Sequence, residues 1–228
     1  MPTAGVHIEA RGSGPAVVFT HGFGRTGDAW APQVDALAGD HHVVAWDMRG
    51  HGRSEAPPDL YTREDALDDL GAVVDGAMAE SGGPALLVGH SLGGYFSLAY
   101  TLARPDTVRG LVLLSTGPGF RNPGSMAKYN RGVAVMAAAA GLADNAAHVA
   151  LHHDSMVIDR LAEITCPTLV ICGADDRPVY VNGVRYLAER LADARLLEIE
   201  GAAHEPHVDK PDEVTAALLV HEALLANR

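Results

Sequence analysis

The sequence predicts an α/β fold, a mostly parallel central sheet flanked by helices and carrying a short helical lid. Three observations point there. Short apolar, β-branched runs alternate with helical stretches along the chain. Each run is nearly continuous in apolar residues, as strands covered on both faces must be. The chain has 228 residues, 47% of them hydrophobic, which suffices to bury one sizeable core in a single domain spanning 1–228.

Taken in order, Val6 to Ala10 followed by the turn Arg11-Gly12-Ser13-Gly14-Pro15 reads as a first strand that adds an antiparallel edge. Val17 to Thr20 and Val43 to Asp47 are the next strands, and Arg63 to Glu80 has helical periodicity. Strand Ala85 to Gly89, helix Ser91 to Arg104 and strand Val108 to Ser115 then follow in close succession. From about 117 to 160 the alternation lapses into an alanine-rich helical segment, Ser125 to Ala140. An insertion placed after a strand, over its carboxyl end, is a natural lid. The pattern resumes with strand Thr168 to Gly173, helix Val181 to Ala192, strand Arg195 to Ile199 and helix Pro211 to Ala226, where Pro211 suits a first helical turn. Such alternation builds right-handed βαβ units, whose ligands lie beyond the carboxyl ends of the strands.

A formal net charge of −12 and a pI near 5.3 oppose nucleic acid or an anionic membrane as partner, since both demand a positive field. No apolar run approaches the roughly 20 residues of a membrane span. The opening MPTAGVHIEA has no basic segment followed by an apolar one, so the expected location is the cytoplasm. Cys166 and Cys172 fit neither a zinc knuckle nor a redox pair and read as buried free thiols. A monomer and a homodimer fit the sequence equally.

The strongest local signal is Gly89-His90-Ser91-Leu92-Gly93, between the apolar strand ALLV and the helix LGGYFSLAYTLA. A serine on so tight a strand-to-helix turn has a strained backbone, and glycines two residues either side relieve the crowding. A hydroxyl is a weak nucleophile at neutral pH, so it needs a histidine within hydrogen-bond reach and a carboxylate behind that histidine. With the nucleophile on such a turn, both come from later in the chain, acid before histidine. The strand TLVICG ends in Gly173-Ala174-Asp175-Asp176, and RLLEIEG is followed by Ala202-Ala203-His204.

These segments resemble the α/β-hydrolase superfamily, in particular its small esterases, enol-lactonases and cofactor-free haloperoxidase-like members. The resemblance is carried by HGFG at His21 to Gly24, DMRGHGRS at Asp47 to Ser54, GHSLGG at Gly89 to Gly94, PTLVICGADD at Pro167 to Asp176 and GAAHEPHVDKPDEV at Gly201 to Val214. It implies Ser91 as nucleophile, His204 as base and Asp176 as the acid that orients the base. Asp175 is the rival for the acid role and His207 for the base; His207 falls where the family has a packing residue. Backbone N–H groups of Phe23 and Leu92 fill the positions of the oxyanion donors. His21 and Gly22 shape the loop that aims the Phe23 amide. His90 points away from the serine with a structural role, and Arg49, His51, Arg53 and Ser54 buttress the oxyanion loop.

His21, Gly22, His90, Met126, Tyr129 and Met136 are the substrate-pocket candidates. In the lid, His148 and His152 have the spacing that puts two imidazoles on one helical face, with His153 and Asp154 nearby. Without a committed third ligand that pair is a weak metal signal, and no metal is expected. Serine at the turn, in place of a carboxylate, implies hydrolysis of a carbonyl substrate: a small ester or lactone, through an acyl-enzyme, with no cofactor. Cleavage of a carbon–carbon bond of the β-diketone type, perhydrolysis, and a small-molecule receptor with slow turnover are the alternatives.

Overall fold

A computed structural model describes residues 5–56, 59 and 61–227. Seven strands form one sheet: β1 Ile8–Arg11, β2 Ala16–Thr20, β3 His42–Trp46, β4 Ala85–His90, β5 Val108–Leu114, β6 Thr168–Gly173 and β7 Ala194–Ile199, in the order β1-β3-β2-β4-β5-β6-β7. Among the described residues only the β1–β3 pairing is antiparallel, with Ile8 opposite Trp46 and Arg11 opposite Val43. β1 starts two residues later than its apolar pattern predicts, because the ladder begins where Ile8 meets Trp46.

Strands β2, β4 and β6 are buried throughout, as continuous apolar runs require. The expectation of cover on both faces fails at the two edges. All four residues of β1 are exposed, and β7 is half-covered, with Arg195 and Leu196 in solvent.

The helices are α1 Ala31–Leu37, α2 Arg63–Ser81, α3 Leu92–Ala103, α4 Pro123–Ala139, α5 Met156–Asp159, α6 Pro178–Arg190, α7 Pro206–Asp209 and α8 Pro211–Leu225. Local chemistry sets their ends. Thr62 and Asp65 form a reciprocal capping box at the start of α2, and Gly82, at φ 76°, closes it in the left-handed region. Proline stands in the first turn of α1, α4, α6, α7 and α8. α6 accordingly starts at Pro178, three residues before the predicted Val181. One core layer packs α2, α3 and α6 against the sheet through Leu70, Phe96 and Val184. The other packs α1 and α8 through Leu37, Val214 and Leu218, with Trp30 beside them.

Between β5 and β6 lie α4, a 3₁₀ stretch Asp144–Ala150 and the single turn α5. Val133, Ala137, Ala146 and Val149 join this segment to the α2/α3 core layer. Asn130 grips His152 by both backbone groups, donating to its C=O at 2.7 Å and accepting from its N–H at 3.0 Å. Asp154 pairs with the buried Arg63 of α2 at 2.7 Å. Among the described residues no helix is long and apolar enough to cross a membrane.

Candidate active site

The carboxyl ends of β4, β6 and β7 converge on Ser91. This residue caps α3 with φ 50° and ψ −112°, outside the helix that the sequence pattern began one residue too early. The turn admits no side chain where it crosses β2: a Cβ on Gly93 would lie 2.3 Å from the Thr20 carbonyl oxygen. Strain of this kind persists only where neighbours over-determine it. Here β5 and the residues just beyond it supply them: the Ser91 N–H donates to Leu114 O at 2.8 Å, and its carbonyl accepts from Thr116 Oγ1 at 2.6 Å.

His204 Nε2 stands 3.1 Å from Ser91 Oγ, and His204 Nδ1 stands 2.8 Å from Asp176 Oδ2. A carboxylate oxygen facing Nδ1 accepts a hydrogen bond from it and so favours the Nδ1–H tautomer, whose Nε2 lone pair can accept from the serine hydroxyl. Of the two adjacent aspartates, Asp176 is buried against His204 while Asp175 is exposed. The second Asp176 oxygen accepts from the Arg177 N–H at 2.7 Å.

Leu92 is the first residue of α3, so its N–H lacks an intrahelical acceptor and sits at the positive end of the helix dipole. Phe23 lies in a turn closed by the Arg25 N–H on Gly22 O at 3.1 Å. His21 braces that turn from behind: Nδ1 donates to Gly22 O at 2.7 Å, and Nε2 accepts from the Met48 N–H at 2.9 Å. This arrangement needs a neutral imidazole, and burial, reinforced by neighbouring His51, pushes the His21 pKa down to about 3. The loop after β3 packs behind it, with Asp47 accepting from the N–H of Arg53 and of Gly27, and the His51 ring edge-on to Phe23 at 5.5 Å.

Ser91 and His204 open onto a cavity of about 660 Å³ whose wall includes Phe23, Leu92, His90, Tyr129 and Met136. Three expected pocket residues are not on that wall. His21 and Gly22 precede Phe23 in the turn but do not reach the wall, and Met126 lies in the first turn of α4, whereas the later part of the helix, from Tyr129, reaches the cavity. His152, one of the lid histidines, also lines it, and so does Tyr180, to which no sequence motif points. The Tyr180 ring lies 4.1 Å from that of His204, beneath the Arg177 guanidinium. Reading α6 from Pro178 would have placed Tyr180 in its first turn, directly after the acid.

The lid histidines do not pair. The stretch holding His148 is 3₁₀, not α, so the four-residue spacing gives no common face; His148 is exposed and His152 is buried. His152 is ringed by Tyr95, Phe120 and Tyr129, and burial lowers its pKa to about 4. Among the described residues, His90, Glu205 and His207 bring potential metal ligands within 4.8 Å of one another. They do not suit a metal: His90 Nε2 is bound to the His204 carbonyl, Gly22 closes on its Nδ1, and Glu205 is paired with Arg25.

The family profile described as the alpha/beta hydrolase fold matches residues 15–162, well over half of the chain. The chain belongs to the α/β-hydrolase family. The matched region holds the serine turn and stops short of Asp176 and His204. A RutD protein of Caulobacter sp. (strain K31), to which carbamate hydrolysis is ascribed, is 32% identical over 94% of each chain. A pimeloyl-[acyl-carrier protein] methyl ester esterase of Chromobacterium violaceum is 28% identical over 94% of this chain and 96% of its own. Among solved structures, Est816, described as an N-acyl homoserine lactone degrading enzyme, is 28% identical, with a TM-score of 0.76 over 94% of this chain and 95% of its own. This α/β-hydrolase is thus similar along nearly its whole length to proteins named for carbamate, methyl ester and lactone chemistry, and it is a hydrolase of that family.

Proposed function

We propose that the chain is a serine hydrolase that cleaves a small carboxylic ester or lactone through an acyl-enzyme. The observation that carries this reading is the continuous relay from Ser91 Oγ through His204 to the buried Asp176, with links of 3.1 and 2.8 Å. Ser91 attacks the carbonyl carbon as His204 Nε2 takes its proton. The oxyanion that forms is met by the N–H groups of Phe23 and Leu92. His204 returns the proton to the departing alkoxide, and water, deprotonated by the same imidazole, releases the acid from Ser91. A lactone follows the same path, its alkoxide remaining tethered to the acyl group.

A cavity of about 660 Å³, roofed by the segment at 117–160, is of the size that holds a small ligand. The ester and lactone chemistry named for similar proteins agrees with this reading. The test is turnover of short p-nitrophenyl esters by wild type and Ser91→Ala. The variant is expected to fall at least about 1,000-fold, to the residue of rate that binding and oxyanion donors alone supply. Wild-type turnover in folded Ser91→Ala would contradict the proposal.

A further inference from the structure

Gly22 is not glycine for conformational reasons. Its backbone lies outside the left-handed region that other glycines of this chain occupy. What excludes a side chain is one neighbour: a Cβ built on Gly22 would lie 2.4 Å from His90 Nδ1 and 2.8 Å from His90 Cε1, and the next atom, Ser91 Cβ, is at an ordinary 3.4 Å. On its other side the same imidazole donates from Nε2 to the carbonyl of His204 at 2.8 Å. His90 is 2% exposed, and its ring lies 5.0 Å from that of His204 and 4.7 Å from that of His207, which in turn stacks on Trp30 at 4.1 Å.

We infer that His90 is a positioning residue: one neutral imidazole, next in the chain to Ser91, spaces the oxyanion loop at Gly22 and fixes the His204 main chain. The inference rests on the proposed roles of Ser91, His204 and Phe23. The two contacts use different ring nitrogens. The Nε2 proton is committed to the His204 carbonyl, so Nδ1 carries a lone pair and makes no hydrogen bond among the described residues. Nothing polar is asked of Nδ1; its task there is steric, and Gly22 supplies the only residue type that fits against it.

Coupling between the two positions is the consequence, and a double-mutant cycle reads it. Gly22→Ala in the wild type drives a methyl group into the His90 ring and displaces the loop that aims the Phe23 N–H. Displacements of about 1 Å at such a site cost up to about 100-fold in rate. The loss is expected in kcat and in the rate of Ser91 phosphonylation by a fluorophosphonate, with KM within about threefold, since oxyanion contacts strengthen only as the transition state forms.

In His90→Ala the obstruction is gone, and Gly22→Ala is expected to change the rate by less than about threefold there. His90→Ser provides the same background should His90→Ala not fold. His90→Ala alone is expected to lower kcat by about tenfold, through release of the His204 carbonyl. Equal damage from Gly22→Ala in both backgrounds, or none in either, overturns the inference. If wild-type protein is labelled at Ser91 and the cycle is additive, only this inference fails. If folded wild type is never labelled, the reading of Ser91 fails and this inference falls with it.

Discussion

Histidines at opposite ends of the sheet sit in surroundings that shift the imidazole pKa in opposite directions. At the carboxyl end, around Ser91, burial lowers the pKa of His21, His51, His90 and His207, to about 3 for His21 and His207. At the amino end, His41 faces Glu222, whose carboxylate also receives both guanidinium nitrogens of Arg109, at 2.6 and 2.8 Å. The hydrogen bond to Glu222 raises the His41 pKa despite partial burial. The same side chain is therefore held toward its neutral form where burial dominates, and toward its charged form where a carboxylate bonds to it. His204 has a buried carboxylate on one nitrogen and a hydroxyl on the other.

Removing the carboxylate at the carboxyl end is expected to have the largest effect. Asp176→Asn is expected to lower kcat by about 10⁴, because an amide favours the wrong histidine tautomer. Asp175→Asn, on an exposed side chain, should stay within about threefold of wild type by the same reasoning. Steady-state kinetics on one ester checks both, and comparable losses would erase the distinction between the two aspartates.

At the amino end the carboxylate acts on stability. Glu222→Gln leaves Arg109 and His41 without their shared charge partner and should cost about 2 kcal/mol in urea unfolding at pH 6, with esterase activity kept. A loss confined to activity would place Glu222 in a role that the fold gives no reason for.

The smallest expected effects lie in the pH dependence of stability, and the two ends have opposite signs. The folded pKa of His41 is raised above 6.5, so its contribution is present below that pH and is lost as pH rises through the folded value. The folded pKa values of His21, His51, His90 and His207 are lowered, so as pH falls below 6.5 the unfolded chain binds protons that the folded chain refuses, and stability declines. Urea midpoints across pH 5 to 8.5 should show His207→Phe with a shallower acid-side fall and His41→Gln with a shallower alkaline-side fall. Unchanged limbs in both variants would remove the contrast.

What the sequence made legible follows from how far each signal reaches along the chain. Interior strands show as continuous apolar runs because both faces are covered, so β2, β4 and β6 stand where the pattern puts them. The edges blur, since β7 mixes Arg195 and Glu198 into its run and half faces solvent. Ser91, Asp176 and His204 are each flagged by the turn after a strand, whereas the contacts between them span 28 and 113 residues and belong to topology. The lid was the least legible part. Its Asn130 and Asp154 bonds, and the Arg63 partner 91 residues away, leave no local periodicity, and a 3₁₀ stretch misaligned the histidine spacing. The reason for glycine at position 22 lay in a side chain 68 residues further on, visible only once both were placed.

Whether Ser91 is an activated nucleophile is read by fluorophosphonate labelling of the wild-type protein, followed by intact mass and peptide mapping. A single adduct is expected, localised to Ser91 and abolished in Ser91→Ala. Folded protein that takes no label, or takes it at another residue with Ser91 unmodified, would contradict it.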